Sequence, residues 1–126
     1  MKFSTKAEYG LRAIVHLDKA GKKPVSLASI AKIEKLSLPY LERIFSELKK
    51  AGIITSFIGT NGGYVLSKPS VKIKVSEVIE ALEGPLYNFK CAGCSMKGCV
   101  INPVWRKLYA QIYKTLDSIK LNSLIK

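Results

Sequence analysis

The chain has 126 residues and a formal net charge of +12, from 21 Lys and Arg residues against 9 Asp and Glu residues. A hydrophobic content of 48% excludes a disordered polyelectrolyte and allows one small domain with its own core. No apolar run is long enough to span a bilayer, and the first residues lack the apolar stretch of a secretory signal. We therefore expect a soluble cytoplasmic protein without a membrane partner, whose positive charge attracts a polyanion such as nucleic acid.

The first two helices are predicted from apolar spacing and capping residues. Apolar side chains three and four residues apart indicate a helix over residues 5–19. Thr5 and Glu8 have the spacing of a capping box, in which the hydroxyl and the carboxylate each accept a hydrogen bond from a backbone N–H. Ser26 is placed to cap a second helix, whose buried side is predicted to extend to Ile33.

A third helix is predicted after a short connection at residues 34–36. Ser37 is its expected N-cap, and Pro39 is tolerated in its first turn, where a backbone N–H has no partner inside the helix. Gly52 stands where a left-handed C-terminal cap belongs. The apolar stripe of this helix consists of Leu38, Leu41, Ile44, Phe45 and Leu48.

The hydrophobic period changes after Gly52. Residues 53–58 are rich in β-branched and aromatic side chains, residues 59–63 are a turn cluster, and residues 64–67 form a second short strand, which together predict a β-hairpin. A further helix is predicted over residues 75–83.

The order of these elements predicts a winged helix-turn-helix, a mainly α-helical fold with a small β-hairpin. The second helix of such a motif enters the DNA major groove. The candidate DNA contacts on that helix are Ser37, Pro39, Tyr40 and Arg43, of which Tyr40 and Arg43 lie on its polar side. The candidates at the hairpin tip are Thr60, Asn61, Gly62 and Gly63. Their small side chains allow backbone N–H groups to approach a phosphate or to enter the minor groove.

The last long helix is predicted over residues 103–119, after an N-cap at Asn102. Its apolar stripe consists of Trp105, Leu108, Ile112, Leu116 and Ile119. A small winged domain does not cover the whole stripe, so we expect a second copy of the chain to pack on it. Such a homodimer presents two recognition helices to a palindromic double-stranded DNA operator. The alternative is that the stripe folds back on its own domain, and both arrangements can coexist.

All three cysteines, Cys91, Cys94 and Cys99, fall within nine residues of a segment without hydrophobic periodicity, residues 84–101. An odd number of clustered cysteines argues against a disulfide framework. Thiolates are soft ligands that suit zinc, copper(I) and iron–sulfur clusters, and three sulfurs leave one coordination position for another ligand. The segment therefore predicts a metal or redox site.

Four segments resemble the Rrf-type (IscR/NsrR-like) family of winged-helix transcription regulators. They are residues 4–13, 25–31, 36–45 and 62–66, and the cysteine segment followed by Trp105 also fits. The resemblance covers nearly the whole chain and implies a homodimer, joined by its C-terminal helix, that represses or activates promoters. The expected organisation is a winged DNA-binding domain at 1–83, a cysteine segment at 84–101, and a dimerisation helix with a tail at 102–126.

The resemblance also implies a signal. Many members of the family carry an iron–sulfur cluster that senses iron–sulfur, redox or nitric oxide status. Here Cys91, Cys94 and Cys99 would hold it, and Glu8 matches a position from which some members supply a carboxylate across the dimer. The cysteine spacing is shorter than is usual in the family. Zinc, a thiol switch without cofactor and a small-molecule effector are therefore alternatives to the cluster.

Two departures from the family pattern bear on the DNA target. Ile58 stands where the family often has arginine at the start of the wing, and Arg43 stands where glutamine is common. Both differences predict a changed base preference.

Two readings from other functional classes compete with a transcription regulator. A metal or cluster carrier would use the basic surface to dock an acidic protein. An enzyme is not expected, because the sequence has no glycine-rich cofactor loop or βαβ unit, and His16 is its single histidine.

Overall fold

The computed structural model describes residues 4–84 and 102–124, so the three cysteines lie outside the described residues. The helices are α1 (Thr5–Ala20), α2 (Leu27–Glu34), α3 (Leu38–Lys50), α4 (Val75–Glu83) and α5 (Asn102–Ser118), with short 3-10 helices at Ser70–Lys72 and Leu121–Leu124. Strands β1 (Ile54–Phe57) and β2 (Gly63–Leu66) form one antiparallel hairpin. The predicted mainly α-helical winged fold is confirmed. None of the helices in the described ranges is long and apolar enough to cross a bilayer.

Serine side chains begin the first three helices. The hydroxyls of Ser4, Ser26 and Ser37 each accept a hydrogen bond from a backbone N–H in the first turn that follows. The capping box predicted for Thr5 and Glu8 is wrong, because the cap lies one residue earlier, at Ser4. The hydroxyl and the backbone N–H of Ser4 also donate to the Glu83 carboxylate, which joins the start of α1 to the end of α4.

The turn between α2 and α3 is held by one residue in the left-handed conformation. Lys35 has φ 56° and ψ 44°, and the N–H of Leu36 donates to the carbonyl oxygen of Ala31 at 3.0 Å. Ile33 and Leu38, predicted to be buried, are 63% and 40% exposed. Both lie on the outer side of the helix ends that meet at this turn, whereas Leu36 between them packs against the core.

The core lies between α1, α3 and α4. Four residues of the predicted α3 stripe are fully buried, and one side of α4 is buried as well, at Val75, Val78, Ile79 and Leu82. The buried cluster comprises Ala13, Ile14, Leu17, Ile30, Leu41, Ile44, Phe45, Leu48, Ile53, Ile54, Ile73, Val78, Leu82 and Leu121.

The hairpin is attached to the rest of the domain along β2, close to its turn. Its register pairs Ile54 with Leu66 and Phe57 with Gly63. Tyr64 exchanges two backbone hydrogen bonds, of 3.0 and 2.9 Å, with Val25 in the connection between α1 and α2. The Tyr64 ring also meets the Phe45 ring of α3 edge-on, with 5.0 Å between centroids.

The end of α5 folds back on the winged domain. The carbonyl oxygen of Ile119 accepts from the N–H of Val75 at 2.9 Å, and the N–H of Leu121 donates to the carbonyl oxygen of Ile73 at 2.8 Å. Leu121 is fully buried in the core, a position that the sequence pattern did not predict. Towards the other end of α5, Trp105 and Leu108 are 48% and 41% exposed. The apolar stripe is therefore covered only along its C-terminal half.

Candidate nucleic-acid interface

Helix α3 has one face in the core and one in solvent. The face in the core is held by four buried side chains, those of Leu41, Ile44, Phe45 and Leu48. The opposite face exposes Glu42, Arg43, Ser46, Lys49 and Lys50. Within the described residues Arg43 makes no ion pair, so its guanidinium is available to an external acceptor. Guanidinium groups suit both guanine edges and phosphates, because they offer paired donors.

Tyr40 is less exposed than its predicted position on the polar side of α3 implies. It is half-buried, and its ring meets the Tyr9 ring of α1 edge-on at a centroid distance of 6.2 Å. The Arg12 guanidinium lies 5.9 Å from the centroid of the same Tyr9 ring. Tyr40 therefore helps to seat α3 on α1, and a contact of Tyr40 with DNA stays a prediction.

A second contact fixes α3 against α1. The ammonium of Lys6 lies 3.1 Å from a carboxylate oxygen of Glu47, and both side chains are about two-thirds covered. Partial burial reduces solvent screening, so this pair holds the two helices together better than a fully exposed pair would.

The glycines at the hairpin tip are required by the hairpin itself. The N–H of Gly62 donates to the carbonyl oxygen of Gly59 at 3.0 Å, so this amide is engaged within the loop. Gly63 has φ +149°, and a Cβ at this position would lie 2.6 Å from the carbonyl oxygen of Val25. The DNA contacts predicted at the tip therefore depend mainly on Thr60 and Asn61, both exposed.

A groove of about 480 Å³ lies between the hairpin loop and the start of α2. Its polar lining includes Lys23, Ser26, Ser29, Thr60 and Asn61. Lys23 and the side chains of Thr60 and Asn61 form a surface that suits a DNA phosphate. The N–H and the hydroxyl of Ser29, in contrast, already donate to Ser26. Sequence reasoning missed Lys23, Ser26 and Ser29, because only the folded chain brings the first turn of α2 beside the wing.

The charges are unevenly distributed over this surface. Residues 51–67, which include the whole hairpin, contain no Lys, Arg, His, Asp or Glu. Lys49, Lys50 and Lys68 stand at either end of this uncharged stretch. A DNA contact by the hairpin therefore uses hydrogen bonds and apolar surface rather than charge.

The candidate fourth metal ligand, Glu8, lies on the surface. Its carboxylate pairs with Arg12 at 2.9 Å, and both side chains are more than half exposed. His16 lies 3.7 Å from Glu34, between α1 and α2. Within residues 4–84 and 102–124, no group of three His, Cys, Asp or Glu side chains is arranged to hold a metal ion. A metal site in this chain would therefore depend on the cysteines.

The amino-acid sequence matches known regulators over its full length. The profile of the Rrf2 family, described as "Iron-dependent Transcriptional regulator", matches residues 3–126. The chain is 38% identical to the HTH-type transcriptional regulator IscR of Cereibacter sphaeroides, over 100% of this chain and 88% of that protein. It is 36% identical to IscR of Vibrio atlanticus, over 100% of this chain and 76% of that protein.

Solved structures agree with the sequence match. CymR (YrzC), the global cysteine regulator of B. subtilis, superposes with a TM-score of 0.84 at 34% identity, over 98% of this chain and 95% of that chain. IscR of T. potens gives 0.79 at 37% identity, over 99% and 86% of the two chains. These relatives are transcriptional regulators rather than enzymes or carriers. The chain belongs to the Rrf2 family and is a DNA-binding transcription regulator.

Proposed function

We propose that two copies of this chain form a dimer through α5 and bind a palindromic operator. The observation that carries the proposal is that the apolar stripe of α5 is only half covered. The chain just after α5 docks on the core at Leu121, whereas Trp105 and Leu108 are exposed. Exposed apolar side chains on one helix face are most simply covered by the same face of a second copy, as a two-fold interface requires. Two recognition helices then reach half-sites about one DNA turn apart.

On DNA, α3 enters the major groove and Arg43 contacts a base edge or a phosphate. Ser37 and Pro39, exposed at the start of the same helix, support this approach. Thr60 and Asn61 of the wing, with Lys23, hold one strand of the backbone in the groove beside the hairpin.

For the signal we propose an iron–sulfur cluster on Cys91, Cys94 and Cys99. Three thiolates are a donor set that suits such a cluster. Because Ser4 caps α1, the Glu8 carboxylate is not needed as a cap, and it stays near the surface as a candidate fourth ligand from the partner subunit. When bound, the cluster would change its charge with its redox state or with an added ligand. This change would fall within residues 84–101, which precede α5 in the sequence.

A regulator without cofactor, switched by its thiols, is the second candidate. It is supported by the likeness to CymR of Staphylococcus aureus, whose structure is known in an oxidized form. This relative is 32% identical and has a TM-score of 0.80. Zinc on the same three thiolates is the other metal alternative, and another residue would have to fill its fourth tetrahedral position.

The DNA proposal is tested by selecting duplexes from a random pool with the purified protein. We expect the enriched sequences to be palindromic, with half-site centres about 10 base pairs apart, and affinity to fall steeply with salt. Enrichment of a single unrepeated half-site would contradict the dimer on DNA, and no enrichment would contradict specific recognition.

The dimer itself is tested through Trp105, the one tryptophan of the chain. We expect its emission to shift to shorter wavelength as concentration rises and sedimentation to report a dimer. Leu108→Glu should abolish both changes, since it places a charge in the interface. Val71→Glu is the matched control, because Val71 is also exposed but lies outside α5. Equal association of both variants would refute the interface.

The signal is tested by measuring iron, zinc and acid-labile sulfide in protein purified without oxygen. Iron with matching sulfide supports the cluster, and Glu8→Ala should then destabilise it while Glu42→Ala, an exposed carboxylate of α3, should not. Zinc alone would contradict the cluster and favour the zinc alternative, and no metal would contradict both and favour a thiol switch.

A further inference from the structure

The hairpin tip exposes two neighbouring apolar side chains. Ile58 is fully exposed, and Phe57 is 53% exposed. Single exposed apolar residues are common on folded proteins and need no explanation. Two adjacent ones at the end of a strand, with no charge anywhere in residues 51–67, form a small patch that a binding partner can cover.

The exposure of Phe57 is a consequence of how the hairpin is anchored. Its cross-strand partner is Gly63, which has no side chain to lie beside the ring. Gly63 is fixed as glycine, because a Cβ there would lie within 2.6–2.9 Å of three backbone atoms of Val25. The contact that holds the wing on the domain therefore also leaves its outer strand end uncovered.

The surrounding charge indicates what covers this patch. The uncharged tip stands beside the groove that contains Lys23, in a chain of net charge +12. The DNA minor groove is such a partner, since phosphates line its edges while sugars and base edges form an uncharged interior. Apolar side chains enter this groove in several classes of DNA-binding protein.

We propose that Ile58, with Phe57 beside it, makes an apolar contact in the minor groove of the operator and selects A·T over G·C base pairs there. This inference rests on the proposed DNA-binding mode and assigns a specificity residue to it. Guanine places a 2-amino group in the minor groove, and A·T pairs do not. An isoleucine cannot accept a hydrogen bond from that amino group and would leave it buried without a partner.

The test uses the selected operator and changes only the base pairs under the wing. Replacing A·T by G·C should weaken binding about tenfold, and replacing A·T by inosine·C should not, because inosine keeps the major-groove pattern of guanine without the 2-amino group. Ile58→Ala should weaken binding to the A·T operator by about five- to tenfold, through lost apolar burial. The same variant should bind the A·T and G·C operators within about twofold of each other.

Salt dependence separates this contact from a phosphate contact. Ile58→Ala should leave the slope of log affinity against log salt unchanged, whereas Ile58→Arg should steepen it by roughly 0.9, the value for one added phosphate contact. Val71→Ala is the matched control, since Val71 is a β-branched residue exposed to 54% on a 3-10 helix outside the hairpin. It should bind all operators like the wild type.

Three results would overturn the proposal in distinguishable ways. If Ile58→Ala keeps the affinity and the A·T preference of the wild type, the tip does not touch the minor groove. If this variant binds DNA normally but loses its effect on transcription by purified RNA polymerase, the tip docks on protein instead. If the wild type selects no DNA sequence at all, the DNA-binding mode fails before any variant is made.

Discussion

Helix α3 and the hairpin lie on the same DNA-facing side of the proposed complex, but they are built differently. The helix is anchored by four fully buried side chains and exposes Arg43, Lys49 and Lys50. The hairpin is anchored near its turn, through the hydrogen bonds between Val25 and Tyr64, and exposes no charge. In the proposed complex, the part of the DNA affinity that comes from α3 should therefore depend on salt. The part that comes from the hairpin should depend on the shape of the groove and not on salt.

The largest expected effect comes from removing the support that both regions share. Phe45 is fully buried in α3 and meets Tyr64 of the hairpin edge-on. Phe45→Ala should lower the free energy of unfolding by about 3–5 kcal/mol, measured by urea denaturation. Phe57→Ala, at an exposed phenylalanine, should change it by less than about 0.5 kcal/mol. Similar losses for the two variants would contradict the packing described.

A second variant should disturb the hairpin and spare the helix. Gly63→Ala forces a Cβ against the Val25 backbone and should cost about 2 kcal/mol of stability. It should also weaken DNA binding by displacing the wing. Gly59→Ala is the control, because Gly59 also has positive φ (+120°) but has open space around it. If Gly59→Ala costs as much, backbone strain and not the Val25 contact explains the need for glycine.

A third variant should disturb DNA binding by the helix and spare the fold. Arg43→Ala should weaken operator binding by about 1–3 kcal/mol if Arg43 reads a base, and the loss should then depend on the base at one position. A uniform loss over all DNA sequences would instead make Arg43 a phosphate contact. Lys49→Ala removes an exposed cation six residues further along α3 and is the comparison. Anisotropy titrations measure both variants.

The smallest expected effect concerns the helix starts. Ser37→Ala should lower stability by about 1 kcal/mol, because one backbone N–H in the first turn of α3 loses its acceptor. Ser26→Ala should cost a similar amount at α2. If Ser37 also contacts DNA, its variant should lose more operator affinity in an anisotropy titration than Ser4→Ala, which removes the cap of α1 instead. Equal affinities would leave Ser37 with the capping role alone.

Local patterns were sufficient to predict most of the fold. Periodicity located α4 at residues 75–83 as found, and Ser26 and Ser37 marked helix starts correctly because capping is a local interaction. The misplacements share a different cause. Leu38 and Ile33 are exposed, Tyr40 is half-buried, and Leu121 is in the core. The burial of each of these side chains depends on which neighbouring elements pack against it.

The candidate site was predictable only in part. The exposure of Arg43 follows from its side of a helix, whereas the groove between α2 and the wing combines Lys23 with Asn61, which are distant in sequence. The uncovered ring of Phe57 depends on strand register and on the Val25 contact, and neither follows from residue pattern alone. The predicted cluster ligands Cys91, Cys94 and Cys99 lie outside the described residues.

The docking of Leu121 has a consequence for how the chain acquires its fold. This residue packs in the same core as Ile14 and Leu17 of α1, about a hundred residues earlier in the chain. Contacts between such distant segments close a long loop and slow folding. During synthesis the winged domain therefore cannot complete its core when α4 emerges from the ribosome. It waits for the residues that follow α5, so the proposed DNA-binding surface becomes fully supported only after α5 has been made.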